Sequence, residues 1–158
     1  MAKPLIIGIT GGSGSGKTTF IRRLKERFSE PQICVVSQDD YYRPREQQQQ
    51  DERGIHNFDL PDSIDVAAFA GDLERLIEGH PIQRQEYTFN NDLATPRILT
   101  FQPAPVLMVE GLFIYHFHEI RRLFDIRIFL HAKENLKVIR RIKRDRVERN
   151  YPLEDVLY

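Results

Sequence analysis

The chain has 158 residues, 41% of them hydrophobic and 29% charged, which is the balance of a globular domain built on one core. Lys plus Arg and Asp plus Glu both number 23, and the resulting net charge of zero argues against a dedicated nucleic-acid binder. No apolar run approaches the roughly 20 residues of a membrane span, and Met1-Ala2-Lys3-Pro4 shows no signal peptide, so the expectation is a cytoplasmic protein without membrane or nucleic-acid partners.

Leu5 to Thr10 reads as a buried strand. It runs into Gly11-Gly12-Ser13-Gly14-Ser15-Gly16-Lys17-Thr18, which fits the phosphate-loop spacing of Gly, four residues, Gly, Lys and Ser or Thr. A helix follows, because Phe20, Ile21, Leu24 and Phe28 recur at helical spacing. The residue types suit a polyphosphate. Glycines let successive N–H groups turn inward as an anion cradle, and the helix start adds unpaired donors. Lys17 supplies a full charge, and the Thr18 hydroxyl is a hard ligand suited to Mg²⁺. Thr19 continues the same turn. ATP or GTP with Mg²⁺ is therefore the expected cofactor set.

Gln32 to Ser37 reads as a second strand, with Cys34 a small buried hydrophobe within it. Residues 38–62 are polar and irregular, and Gln47-Gln48-Gln49-Gln50 reads as solvated loop. Ser63 to Glu78 reads as a helix capped by Asp62 or Ser63, with Val66, Phe69, Leu73, Leu76 and Ile77 as its apolar face. Residues 82–89 and 97–101 read as a small β-hairpin. Pro105 to Gly111 is a third buried strand ending in Glu110, residues 117–123 a short helix, and Ile126 to Leu130 a fourth strand. Lys133 to Arg149 is a basic helix whose Leu136, Ile139 and Ile142 are expected to face the core, and Pro152 to Leu157 begins another helix. Alternating strands and helices predict one domain over 1–158, a three-layer α/β/α fold with a parallel sheet. Ligands then gather at the carboxyl ends of the strands.

That edge collects the phosphate loop, Asp39 and Glu110. Asp39 is the first choice for accepting a proton from a substrate hydroxyl, or for holding metal-bound water, with Asp40 as second choice. A carboxylate closing an apolar strand, as Glu110 does, orients Mg²⁺ or makes a salt bridge. Arg141, Arg144 and Arg149 suit a lid over a triphosphate. Tyr41, Tyr42, Tyr87 and Phe89 either stack on a flat substrate or simply pack. The Asn-Lys-x-Asp signature of a GTPase switch does not occur.

Taken together, Gly8 to Thr19, Ser37-Gln38-Asp39-Asp40-Tyr41-Tyr42-Arg43, Asn57 to Asp65, Tyr87-Thr88-Phe89, Glu110-Gly111 and Arg140 to Arg149 give a chain that resembles the uridine kinase family of phosphate-loop kinases. The resemblance implies phosphorylation of a nucleoside 5′-hydroxyl, with Asp39 as general base and Thr18 and Glu110 at the magnesium site. It places Asp59 and Arg141 near the sugar, Tyr87 and Phe89 near the base, and Arg144 and Arg149 on the triphosphate. Three stretches depart from the family. Asn90-Asn91-Asp92 stands where a base-reading histidine is expected, Leu60 replaces a histidine, and Tyr151 replaces the second lid arginine. Asp92 then becomes a candidate contact for an amino-bearing acceptor. The alternatives are a kinase of another small alcohol, such as a sugar phosphate or a pantothenate-like compound, and a regulatory nucleotide binder without turnover. A further strand and helix are expected beyond Tyr158, and a homo-oligomer is left open.

Overall fold

The computed structural model describes residues 2–12, 14–89 and 91–147, the last three by backbone alone; Ser13, Asn90, Arg149, Tyr151 and the helix predicted from Pro152 lie outside the described residues. Among the described residues, four strands build the main sheet: β1 (Leu5–Gly11), β2 (Ile33–Ser37), β5 (Val106–Glu110) and β6 (Ile126–Leu130). Their order is β2-β5-β1-β6, and every pairing is parallel. The helices are α1 (Lys17–Lys25), α2 (Val66–Ile77), α3 (His118–Arg121) and α4 (Glu134–Val147). Strands β3 (Ile82–Gln85) and β4 (Ile98–Phe101) form the predicted antiparallel hairpin as a separate sheet.

Alternation along the strands divides the core in two, because successive side chains point to opposite faces. Ile6, Val36, Leu107 and Val109 pack with Phe69, Leu73 and Leu76 of α2 and with Ile120. Ile7, Ile9 and Met108 face the other way, onto Ile21 of α1 with Phe20, Leu24 and Phe28 around it. Cys34 is buried as expected. The sheet thus has covered faces on both sides, as the apolar strands require.

Three expectations are corrected. The cap of α2 is Asp65, whose carboxylate accepts the Ala68 N–H at 3.1 Å; Pro61–Ser63 forms a separate 3₁₀ turn before it. The glutamine run is not all solvated. Gln48 is buried, and its amide donates to the carbonyls of Arg43 (2.8 Å) and Ser63 (3.1 Å), closing the 43–63 loop on itself. On α4, Leu136 and Ile139 are 41% and 61% exposed rather than core-facing. The helix instead turns Lys137 and Arg141 inward, with side chains only 15% and 27% exposed. Arg141 pairs there with Asp59, Arg140 bonds the phosphate loop at Gly14, and Lys137 packs beside Gly12 while pairing with Glu134 of its own helix.

Candidate active site

Strand β1 delivers the chain to the loop, and the loop needs its glycines. Gly14 and Gly16 take φ of 77° and 96°, values an L side chain rarely adopts. A Cβ on Gly11 would strike Ser15 Oγ at 2.5 Å, and one on Gly14 would strike the Lys137 carbonyl at 2.5 Å. Helix α4 therefore rests directly on the loop. Arg140 adds a hydrogen bond from Nη1 to the Gly14 carbonyl at 3.0 Å. Gly16 caps α1 and leaves the first-turn N–H groups of Lys17, Thr18 and Thr19 at the loop mouth. Lys17 Nζ donates to the Gly11 carbonyl at 2.8 Å, with Gly12 at 3.4 Å.

Two carboxylates stand at neighbouring strand ends. Register pairs Ser37 with Glu110 and Glu110 with Ile9, so β5 lies between the phosphate loop and Asp39. Ser37 Oγ donates to Glu110 Oε1 at 2.5 Å and accepts the Asp39 N–H at 3.2 Å. One hydroxyl thus ties the two acids together. Burial first, then the Asp39 carboxylate, pushes Glu110 well above the usual carboxylate range, against the pull of Ser37 and Lys17. A carboxylate so placed calls for more positive charge. Thr18 and Glu110 line the same cavity, and hard oxygen donors beside an undercompensated acid are a fit for Mg²⁺.

The opposite wall is aromatic. Tyr42, Phe58, Tyr87 and Phe89 cluster with ring centroids 5.0 Å (Tyr87–Phe89), 5.4 Å (Tyr42–Tyr87) and 5.7 Å (Tyr42–Phe58 and Tyr42–Phe89) apart. Phe89 has φ of 54°, which aims the chain through the bend after β3. Asp59 lies between this wall and α4, where Arg141 Nη1 meets its carboxylate at 2.5 Å.

A single cavity of about 460 Å³ joins these parts. Of the residues predicted from sequence, Gly14, Ser15, Gly16, Lys17, Thr18, Thr19, Asp39, Asp59, Tyr87, Phe89, Glu110 and Arg144 line it. Gly11 and Gly12 shape the loop beneath, and Arg141 reaches the site through Asp59. Asp92 is exposed and stands off the cavity lining. Ser13 and Arg149 lie outside the described residues. Sequence reasoning quoted Ser37, Phe58 and Arg140 only within longer motif stretches and gave them no role of their own. Their roles arise from contacts 73, 16 and 126 residues away in sequence, respectively to Glu110, Tyr42 and Gly14, which no local spacing announces. Of the Tyr41-Tyr42 pair only Tyr42 meets the cavity, since Tyr41 is fully buried against Phe69.

Residues 6–158 match the profile of the phosphoribulokinase/uridine kinase family. A uridine kinase of Streptococcus agalactiae is 34% identical over 155 residues, covering 98% of this chain and 74% of that protein. One from Leuconostoc citreum is 36% identical over 157 residues, covering 98% of this chain and 75% of its own. Among solved structures, one described as a possible uridine kinase from Bacillus stearothermophilus superposes with a TM-score of 0.65 at 25% identity, covering 94% of this chain and 84% of that one. A phosphoribulokinase from Rhodobacter spheroides shares the fold, with a TM-score of 0.67 at 21% identity over 98% of this chain and 62% of its own.

Proposed function

This chain belongs to the phosphoribulokinase/uridine kinase family, and from that premise we propose that it transfers the terminal phosphoryl group of ATP to the 5′-hydroxyl of a nucleoside. The observation that carries the reading is the continuity of one cavity, with phosphate loop on one side, aromatic wall on the other, and Asp39 between them.

The donor triphosphate lies in the loop, where backbone N–H groups and Lys17 offset its charge. Lys17 exchanges the Gly11 carbonyl for phosphate oxygen. Thr18 and Glu110 would hold Mg²⁺, which supplies further charge neutralisation at the phosphates. Arg144, lining the same cavity from α4, adds a guanidinium over the transferred group. The acceptor stacks against Tyr87 and Phe89, and its sugar hydroxyls compete with Arg141 for Asp59. The acceptor oxygen attacks the γ-phosphorus as the bond to the β-bridging oxygen breaks, ADP leaves, and the hydroxyl proton passes to an Asp39 carboxylate oxygen. Helix α4, seated on the loop, shields the site from water, which would otherwise hydrolyse the donor.

A coupled assay of ADP release tests this over a panel of nucleosides, sugar phosphates and pantothenate-like alcohols. Turnover with a pyrimidine nucleoside is expected, and no acceptor-dependent release with any of them would overturn the reading. Asp39→Asn is expected to lower kcat by about two to four orders of magnitude, the range for a lost general base, while ATP binding by calorimetry stays within about twofold of wild type.

A further inference from the structure

Asp39 and Asp40 are adjacent, yet they open onto different spaces. Asp39 lines the main cavity, whereas Asp40 opens onto a separate cleft of about 390 Å³ behind the hairpin. Asp40 is also already engaged there. Its Oδ1 accepts the backbone N–H of Tyr87 at 3.2 Å, and its own carbonyl accepts Arg84 Nε at 2.7 Å.

Arg84 is held firmly in turn. Its guanidinium carbon sits 3.7 Å from the centroid of the buried Tyr41 ring. Its Nη1 faces Asp72 at 3.6 Å, and the Tyr41 hydroxyl donates to that same carboxylate at 2.9 Å. The attachments at Arg84 and Tyr87 bracket the end of β3, where the chain leaves the hairpin to form the aromatic wall. Ile82 anchors the root of the hairpin in the core, Glu86 is held to Arg97 through its N–H (2.8 Å) and its carboxylate, and at Tyr87 the backbone N–H is tied to Asp40.

We propose that Asp40 is a positioning residue that sets the Tyr87–Phe89 wall relative to Asp39. Resting on the acceptor site described above, this makes Asp40 a determinant of acceptor alignment rather than a second general base. The two aspartates share one peptide unit, so the group that takes the proton and the group that locates the acceptor move together. Among the described residues, Asp40 is not part of the lining of the cavity that holds the phosphate loop.

The test uses the full chain and the variants Asp40→Ala and Asp40→Asn, with ATP and acceptor varied separately. Hydrogen exchange at residues 85–89 provides a readout that needs no turnover. Asp40→Ala removes the acceptor of the Tyr87 N–H. It is expected to raise the acceptor KM and speed exchange at Tyr87 about tenfold each, the scale of one such hydrogen bond, while the KM for ATP stays within about twofold. Asp40→Asn keeps a carbonyl in the same place and is expected to return both quantities to within about threefold of wild type. Arg84→Lys, which loses the fork but keeps the charge, gives the same acceptor-only pattern at about threefold and serves if Asp40→Ala does not fold. The proposal is overturned if Asp40→Asn loses kcat as severely as Asp39→Asn, or if Asp40→Ala leaves exchange at Tyr87 unchanged. Absence of turnover in the wild-type chain would instead sink the kinase reading, and the exchange measurement would still decide the attachment.

Discussion

Gly111 follows directly on Glu110, and replacing it with alanine tests how tightly the site is packed. A Cβ there would lie 2.5 Å from Gln38 Oε1 and collide with the Gln38 stem. Gln38 is 1% exposed and cannot swing into water. Its Oε1 also accepts the Phe113 N–H at 2.8 Å, a bond the shift would break. Overpacking costs about 1–3 kcal/mol, and a buried amide left without its acceptor costs about 1–3 kcal/mol more. The sum is about 2–6 kcal/mol, centred near 4. For a domain of this size each kcal/mol lowers Tm by about 2–4 °C, so Gly111→Ala should melt about 8–16 °C below wild type. The displaced Gln38 opens the 3₁₀ turn Gln38–Tyr41, which carries Asp39. A displacement of about 1 Å there is worth about 100-fold in kcat. Differential scanning calorimetry and the ADP-release assay give the two numbers. A variant within about 2 °C of wild-type Tm and within about twofold in kcat would refute the reasoning, since both figures fall well short of those derived above.

Gly71 is the matching control: it is exposed within α2, and a methyl group added there would meet no atom within 4 Å, so Gly71→Ala should stabilise by about 0.5–1 kcal/mol and leave kcat unchanged. Ser37→Ala removes the hydroxyl that joins Glu110 to Asp39, and the Mg²⁺ concentration for half-maximal rate should rise about tenfold; an unchanged Mg²⁺ titration would rule out that role. Burial pushes Asp40 up to about 6 against the pull of the Tyr87 hydrogen bond, with Asp39 and Glu86 raising it further and Arg84 lowering it. A carboxyl raised on folding stabilises fully below its unfolded value near 4, and that stabilisation is lost as pH rises through 6. Asp40→Asn escapes the loss, so it should exceed wild type at pH 8 by about 1–2 kcal/mol after discounting for solvent screening, with the gap closing by pH 4 in chemical denaturation.

Much of this molecule is legible in its sequence because its strongest signals are local. The phosphate loop is a contiguous string between an apolar run and an amphipathic helix, and β2, β5 and β6 are apolar runs punctuated by polar turns. What escapes is set by partners distant in the chain. Hydrophobic spacing places Leu136 and Ile139 inward on α4, but the phosphate loop and Asp59 draw the cationic stripe in instead. Gln48 looks like any member of its run until the carbonyls of Arg43 and Ser63 converge on it. Asp65 competes with Asp62 and Ser63 for the same cap, and the prior 3₁₀ turn settles the contest. Asp40 differs from Asp39 only in which way the turn sends it.

The strand order β2-β5-β1 acts as a ruler. Neighbouring strands repeat at about 4.8 Å, so the ends of β1 and β2 stand about 10 Å apart with Glu110 midway. That interval is written in backbone hydrogen bonds, which no loop movement stretches. On the proposed function it is the interval that one phosphoryl group and one attacking oxygen would share. Variation in acceptor size must then be absorbed on the far side of Asp59, by a hairpin that belongs to a different sheet. Acceptor choice can drift by exchanging hairpin residues while the transfer distance stays constant.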